Sequence, residues 1–216
     1  SSDLRKQATK QKGKVLILLG NHELMNFENN FNYTSAGNNK YFKFNGHSRH
    51  DLFARGGKIA KMIACMTNGI IKIGDWIFCH AGILPQIAKK IPSIPKLNRQ
   101  IREWIINPKA TMKASFQDIV LHPDSIFWTR FYGQEKLSKN DCSQLQQSLQ
   151  ILNHNDGTSG GLIVGHTVKD SISSQCRGQL WQIDVGASDA FGPNRTRETR
   201  SSALRIKKGR KPKIIR

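Results

Sequence analysis

The stretch Val15-Leu16-Ile17-Leu18-Leu19-Gly20-Asn21-His22-Glu23 decides how the rest of the chain is read. Five apolar residues in a row, rich in β-formers, predict a buried strand over residues 14–20. Gly20 then permits a sharp turn. Asn21 and His22 follow at once, at the carboxyl end of the strand, where open α/β folds bind their ligands. An amide oxygen and an imidazole side by side can serve both a metal and a proton transfer. The same grammar recurs twice. Trp76-Ile-Phe-Cys79 runs into His80-Ala81-Gly82, and Leu162-Ile-Val164 runs into Gly165-His166-Thr167. One histidine after a strand is weak evidence, because an ordinary core or loop histidine explains it equally well. Three such strand ends are harder to dismiss. If the strands lie in one layer their ends converge, and Asn21, His80 and His166 could share one divalent cation. This set of two nitrogens and one oxygen suits Mn, Fe or Zn better than Mg or Ca.

The remaining organisation is that of one α/β domain over residues 1–216, long enough for a sizeable core. Residues 2–11 read as a polar helix. Residues 27–46, rich in Asn and aromatics, read as a loop near the site. Apolar positions at Leu52, Ile59, Met62, Ile63 and Met66 predict an amphipathic helix over 51–68 that runs past Gly56-Gly57. Two short strands follow over 70–79 and turn at Gly74-Asp75, which leaves Asp75 a turn role. Residues 84–121 form a Pro- and Lys-rich helical insertion. Ser138 and Asp141 mark a capped helix over 138–153, and strands are expected at 161–165 and 179–185. Asp184 reads as structural. His47, His50, His122 and His154 lack strand-end context and read as surface residues. At the C-terminus Ala203-Leu-Arg-Ile206 and Pro212-Lys-Ile-Ile215 flank Lys-Lys-Gly-Arg-Lys, which reads as a β-hairpin with a glycine turn.

Composition sets broader limits. No stretch approaches 18 apolar residues, so no membrane span is expected. The four cysteines, Cys65, Cys79, Cys142 and Cys176, show no C-x-x-C spacing and are expected to be reduced thiols in a reducing compartment. The address inferred is cytoplasmic, with the nucleus as the alternative for a chain with a basic tail. A net charge of +19 would attract phosphorylated substrates and nucleic acid alike, so charge does not separate an enzyme from a binder.

Together, LLGNHE (18–23), IFCHAGI (77–83) and VGHT (164–167) resemble the calcineurin-like metallophosphoesterases, in particular the phosphoprotein-phosphatase superfamily. Leu52-Phe-Ala-Arg-Gly-Gly57, Ser125-Ile-Phe-Trp-Thr-Arg-Phe131 and Leu180-Trp-Gln-Ile-Asp-Val-Gly-Ala-Ser188 are similar to its Shewanella-like branch. The resemblance covers about residues 5 to 215. It implies a four-layer fold with a central β-sandwich flanked by helices, and two adjacent divalent ions, Mn, Fe or Zn. It makes Asn21, His80 and His166 metal ligands. His22 becomes the general acid that protonates the leaving group, and Arg130 the residue that binds substrate phosphate. The reaction implied is phosphomonoester hydrolysis by direct attack of metal-bound hydroxide, most naturally on phosphoproteins. The insertion 84–121 would form a cap.

The resemblance also implies two earlier motifs, Gly-Asp-x-His and Gly-Asp-x-x-Asp-Arg, and neither is among these residues. Residues 1–13 resemble the segment that follows the second of them. The chain is therefore expected to lack its first βαβ unit, to keep at most one partial metal site, and to be inactive alone. Two alternatives stand beside the protein phosphatase. One is a nucleotide phosphoesterase acting on dinucleoside polyphosphates. The other is a degenerate homologue that binds phosphorylated or nucleic-acid partners without turnover.

Overall fold

The structure is a computed structural model, and it describes residues 2–34, 43–44, 46–153, 160–188 and 202–215. It divides into two compact units, residues 1–68 with 99–110, and residues 69–98 with 111–216.

The first unit opens with helix α1 (Ser2–Lys10). The strand foreseen over 14–20 is reduced to β1 (Ile17–Leu18), which pairs in parallel with β4 (Thr67–Asn68). Between them lie α2 (Asn21–Phe27), a short hairpin of β2 (Lys43–Phe44) and β3 (His47–Ser48), α3 (Arg49–Phe53) and α4 (Lys58–Met66). The expected continuous helix over 51–68 is thus two helices. Gly56 breaks it, with φ +81°, a left-handed conformation that side chains resist. A Cβ at Gly56 would also lie 2.9 Å from the Pro108 ring.

Arg55 beside that break ties the unit together. Its Nε donates to the Trp104 carbonyl at 2.8 Å, and its Nη2 donates to the carbonyls of Asn107 and Ala110, each at 2.9 Å. The guanidinium lies 4.8 Å from the centre of the Trp104 ring. Gly56 N donates to the Ile105 carbonyl at 2.8 Å. A cation thus satisfies carbonyls at a helix C-terminus, where the orphan acceptors and the negative end of the dipole lie.

The second unit is built on a five-stranded mixed sheet. Its strands are β5 (Ile70–Ile73), β6 (Trp76–Cys79), β7 (Leu162–Val164), β8 (Ser173–Gln175) and β9 (Leu180–Gln182), in the order β5-β6-β7-β9-β8. The central three run parallel, and both edge strands are antiparallel. The fully buried core includes Ile70, Ile77, Ile83, Phe127, Tyr132, Leu145, Leu162 and Leu180. The insertion is helical as expected, with α5 (Pro85–Ala88), α6 (Ile94–Ile106), whose residues from Arg99 on count with the first unit, and α7 (Ala114–Val120). Helix α8 (Lys139–Leu152) starts at the foreseen capping box, in which Ser138 accepts from Asp141 N and Asp141 accepts from Ser138 N. The terminal hairpin is present as β10 (Ala203–Arg205) and β11 (Lys213–Ile215).

One expectation is overturned. Cys142 and Cys176 form a disulfide, and only Cys65 and Cys79 are free. The fold carries the first turn of α8 to the connection between β8 and β9, across a separation of 34 residues that spacing alone does not reveal. Cysteine usage therefore no longer argues for a reducing compartment. Among the described residues no helix is long and apolar enough to cross a membrane.

Two measurements check this description. Ellman titration of the native, unreduced protein should find one reactive thiol, Cys65. Cys79 is 1% exposed, and burial pushes its thiol pKa far up. Arg55→Ala should lower unfolding stability by about 2–4 kcal/mol in a urea melt, since it strips charge-assisted bonds from three carbonyls. A loss below about 0.5 kcal/mol would remove Arg55 from this role.

Candidate active site

The second unit brings two of the foreseen histidines together. Strands β6 and β7 pair in parallel, with Ile77 opposite Leu162 and Phe78 opposite Ile163. The residues that leave their carboxyl ends are therefore neighbours. His80 Nε2 lies 3.0 Å from His166 Nδ1, and the rings meet edge to face at 4.9 Å and 63°. Gly165 N donates to the His80 carbonyl at 2.8 Å, which holds the two loops in step. His166 has φ +64°, a left-handed conformation uncommon outside glycine. Such strain persists where the surroundings over-determine it, and it concentrates at functional positions. The indole of Trp128 stands edge-on to the His166 ring at 6.2 Å.

Arg130 joins this pair. It follows the buried Ser125, Ile126, Phe127 and Thr129, so the preceding turn is anchored while its own guanidinium stays exposed. Its Nη1 lies 3.5 Å from both the His166 carbonyl and Thr167 Oγ1. Gly133, two residues past Phe131, lets the 3-10 turn Phe131–Gly133 close on Thr167. A Cβ there would fall 2.5 Å from the Thr167 Cβ. Gly82 serves packing as well, for a Cβ would sit 2.8 Å from the Tyr132 ring and 2.9 Å from Thr129 Cγ2. Burial pushes the Tyr132 phenol up to about 12, so it stays neutral in this core.

Asn21 and His22 belong to the first unit. Asn21 is 5% exposed and His22 is exposed, because the two are the first residues of α2 and point to different sides of its first turn. GNHE thus follows the carboxyl end of β1, as expected, and is at the same time the start of α2. Gly20 is the N-cap, and its N–H donates to Glu23 Oε2 at 2.9 Å. Asn26 Nδ2 donates to the His22 carbonyl at 2.7 Å, and Asn26 Oδ1 accepts from Arg49 Nε at 2.9 Å. The ring of His22 lies parallel to that of Tyr33, with centroids 5.0 Å apart and planes within 7°. Tyr33 had no signal in the sequence beyond its place in an Asn-rich loop. Residues 35–42 and 45 of that loop, and His154, lie outside the described residues.

Sequence reasoning missed Lys169. Its side chain is 7% exposed, and its Nζ donates to Glu135 Oε1 at 2.6 Å. Asp184 has the structural place expected of it. Its Oδ1 accepts from Gly186 N at 2.9 Å, and its carbonyl accepts from Lys169 N at 2.8 Å. His47, His50 and His122 are exposed, as expected. Among the described residues no group of three or more His, Cys, Asp or Glu side chains is placed to hold a metal. What the second unit offers is a pair of imidazoles with an arginine beside them. Two nitrogens 3.0 Å apart, each at the usual Zn–N distance of about 2.0–2.1 Å, would subtend about 90° at a common ion, so the pair fits adjacent ligands of one cation.

No protein-family model matches the chain. An uncharacterised protein of Acanthamoeba polyphaga mimivirus is 30% identical over 223 residues, covering 87% of this chain and 86% of that protein. Shewanella-like protein phosphatase 2 of Arabidopsis thaliana is 26% identical over 227 residues, and Shewanella-like protein phosphatase 1 of Plasmodium berghei is 31% identical over 192 residues. Each match covers 86% of this chain but only 56% and 51% of those phosphatases, so the chain spans about half their length. Among solved structures, the cold-active protein-tyrosine phosphatase of a psychrophilic Shewanella species superposes with a TM-score of 0.69 at 22% identity. That likeness, over 85% of this chain and 53% of the other, shows a shared mixed α/β fold. The chain therefore belongs to a family that it shares with the mimivirus protein and the Shewanella-like protein phosphatases.

Proposed function

We propose that this chain is part of a metal-dependent phosphomonoester hydrolase of the calcineurin-like metallophosphoesterase class, with that class's four-layer fold, acting on phosphoproteins. The observation that carries the proposal is the His80–His166 pair. Two imidazole nitrogens face each other at 3.0 Å at adjacent carboxyl ends of parallel strands, with Arg130 reaching them from the turn before Phe131–Gly133. The phosphatase names of the relatives support a phosphorylated substrate.

In this reading His80 and His166 hold one ion through their ring nitrogens. In the intact enzyme two such ions, Mn, Fe or Zn, supply Lewis-acid stabilisation of the phosphoryl oxygens and of the attacking group. The chain's own residues do the rest. Arg130 presents a planar fork to two phosphate oxygens, which a lysine cannot match. Its anchored turn limits the entropy lost when phosphate binds. His22 projects from the start of α2 and gives a proton to the departing oxygen, which matters most for poor alkoxide leaving groups. Tyr33, parallel to its ring, limits the imidazole's rotation.

Two experiments test the assignment. Titration calorimetry with Mn2+ or Zn2+ should find one site, weakened at least about tenfold by either His80→Ala or His166→Ala, as expected for loss of a ligand. Equal affinity in the variants would end the metal assignment. Arg130→Lys should weaken binding of a phosphopeptide by about 1–3 kcal/mol without altering the melting temperature. A preference for dinucleoside polyphosphate over phosphopeptide would redirect the proposal to nucleotide hydrolysis.

A further inference from the structure

The C-terminal hairpin stands apart from the catalytic reading in both structure and charge. Among the described residues, strands β10 and β11 pair only with each other, with Ala203 opposite Ile215, Leu204 opposite Ile214 and Arg205 opposite Lys213. The turn closes through Arg210 N donating to the Lys207 carbonyl at 3.1 Å, and Gly209 takes the left-handed position with φ +70°. Residues 202–215 contain six cations, Arg205, Lys207, Lys208, Arg210, Lys211 and Lys213, and no acidic residue.

Strand alternation sorts these residues. Leu204, Ile206 and Pro212 are partly covered, whereas Arg205, Lys207, Lys211 and Lys213 are exposed. Arg205 faces Lys213 directly across the ladder. The hairpin therefore carries one cross-strand cation pair, with Lys207, Lys208, Arg210 and Lys211 exposed around the turn beyond it. Like charges placed opposite each other destabilise a ladder, and a two-stranded hairpin is marginal to begin with. Among the described residues no carboxylate pairs with these cations. A polyanion laid against this cluster would relieve the repulsion.

We propose that the hairpin 203–215 is a docking surface for the phosphate backbone of duplex nucleic acid. Closely spaced phosphates match the six closely spaced cations of this segment, and binding is driven by release of condensed counterions. A two-stranded ribbon is narrow enough to follow a groove. The segment has no aromatic side chain on which unpaired bases could stack, which favours a duplex over a single strand. Ile214 and Ile215 are exposed on β11, but the segment has no aromatic side chain of the kind that anchors at a bilayer interface. The contacts are to phosphates, so binding is independent of base sequence.

The test is fluorescence anisotropy of the whole chain with a labelled 30-base-pair DNA duplex over a salt series. The variant K207Q/K208Q/R210Q/K211Q should bind at least about tenfold more weakly at 100 mM salt. The slope of log K against log salt should be shallower by about 3, since each lost phosphate contact removes about 0.9. The control K6Q/K10Q/K12Q/K14Q removes the same charge from exposed positions on and after α1, and it should change the slope by less than about 1. Thermal melts of both variants should match the parent. Equal losses in the two variants would make the binding a diffuse effect of net charge and overturn the proposal. It would equally be overturned if the hairpin variant lost binding to phosphatidylserine vesicles while keeping its affinity for the duplex, since the surface would then be a membrane contact.

Discussion

Parallel pairing of β6 with β7 is the constraint on which the candidate site depends. Neither histidine is positioned by its own loop alone. His80 and His166 are 86 residues apart, and they meet because two buried strands share a register and end together. Two glycines make that register attainable. A Cβ at Gly161 would lie 2.0 Å from the Gln179 carbonyl oxygen, and one at Gly160 would lie 1.8 Å from that of Asp75. With both Cβ atoms absent, Ile77 N reaches the Gly161 carbonyl at 2.9 Å and Leu162 N reaches that of Gln179 at 2.7 Å. The strand inserts between its neighbours, and the burial of Ile77, Leu162 and Leu180 then holds it there.

Around that pair the fold divides its labour. Residues that carry chemistry sit on short turns, and the turns are braced by packing. Tyr132 and Thr129 fill the space left by Gly82, and Thr167 fills the space left by Gly133. The edge of the sheet braces the same region. Gln182 Nε2 donates to the Tyr132 carbonyl at 2.7 Å and to that of Gln134 at 2.9 Å, while Ser173 Oγ donates to Gln182 Oε1 at 2.9 Å. The disulfide of Cys142 with Cys176 pins the first turn of α8 to the corner next to that edge. In the first unit the Leu-Phe-Ala-Arg-Gly-Gly segment is a clamp: Arg55 closes the end of α6, and Gly56 fits against Pro108.

The excess of positive charge acquires a structure-specific meaning at one place. Lysine and arginine are spread along most of the chain, where a solvated surface accounts for them. In the terminal hairpin six cations gather within one short segment, and a repulsive cross-strand pair is retained. A general attraction for anions is thereby distinguished from a shaped surface.

The amino-acid sequence by itself determined the local elements and the identity of the reactive groups. The apolar runs ending in His80 and His166 marked two strand ends correctly, because β7 is buried on both faces and β6 keeps apolar side chains even on its half-covered face. The Ser138–Asp141 capping box and the Lys-Lys-Gly-Arg-Lys turn were legible because their interactions span three or four residues. Tertiary structure decided what depends on distant partners. It broke the expected 51–68 helix at a glycine whose neighbour is Pro108, and it paired two cysteines 34 residues apart. It also ordered the polar Ser173–Gln175 segment as an edge strand, where hydrogen bonds to β9 replace the missing apolar alternation. Asn21 and His22 were recognised as residues, but their separation into a buried amide and an exposed imidazole came from the helix that begins at Gly20. Period and composition report what a segment can bury. Which atoms meet is settled by register and close packing between segments far apart in the chain.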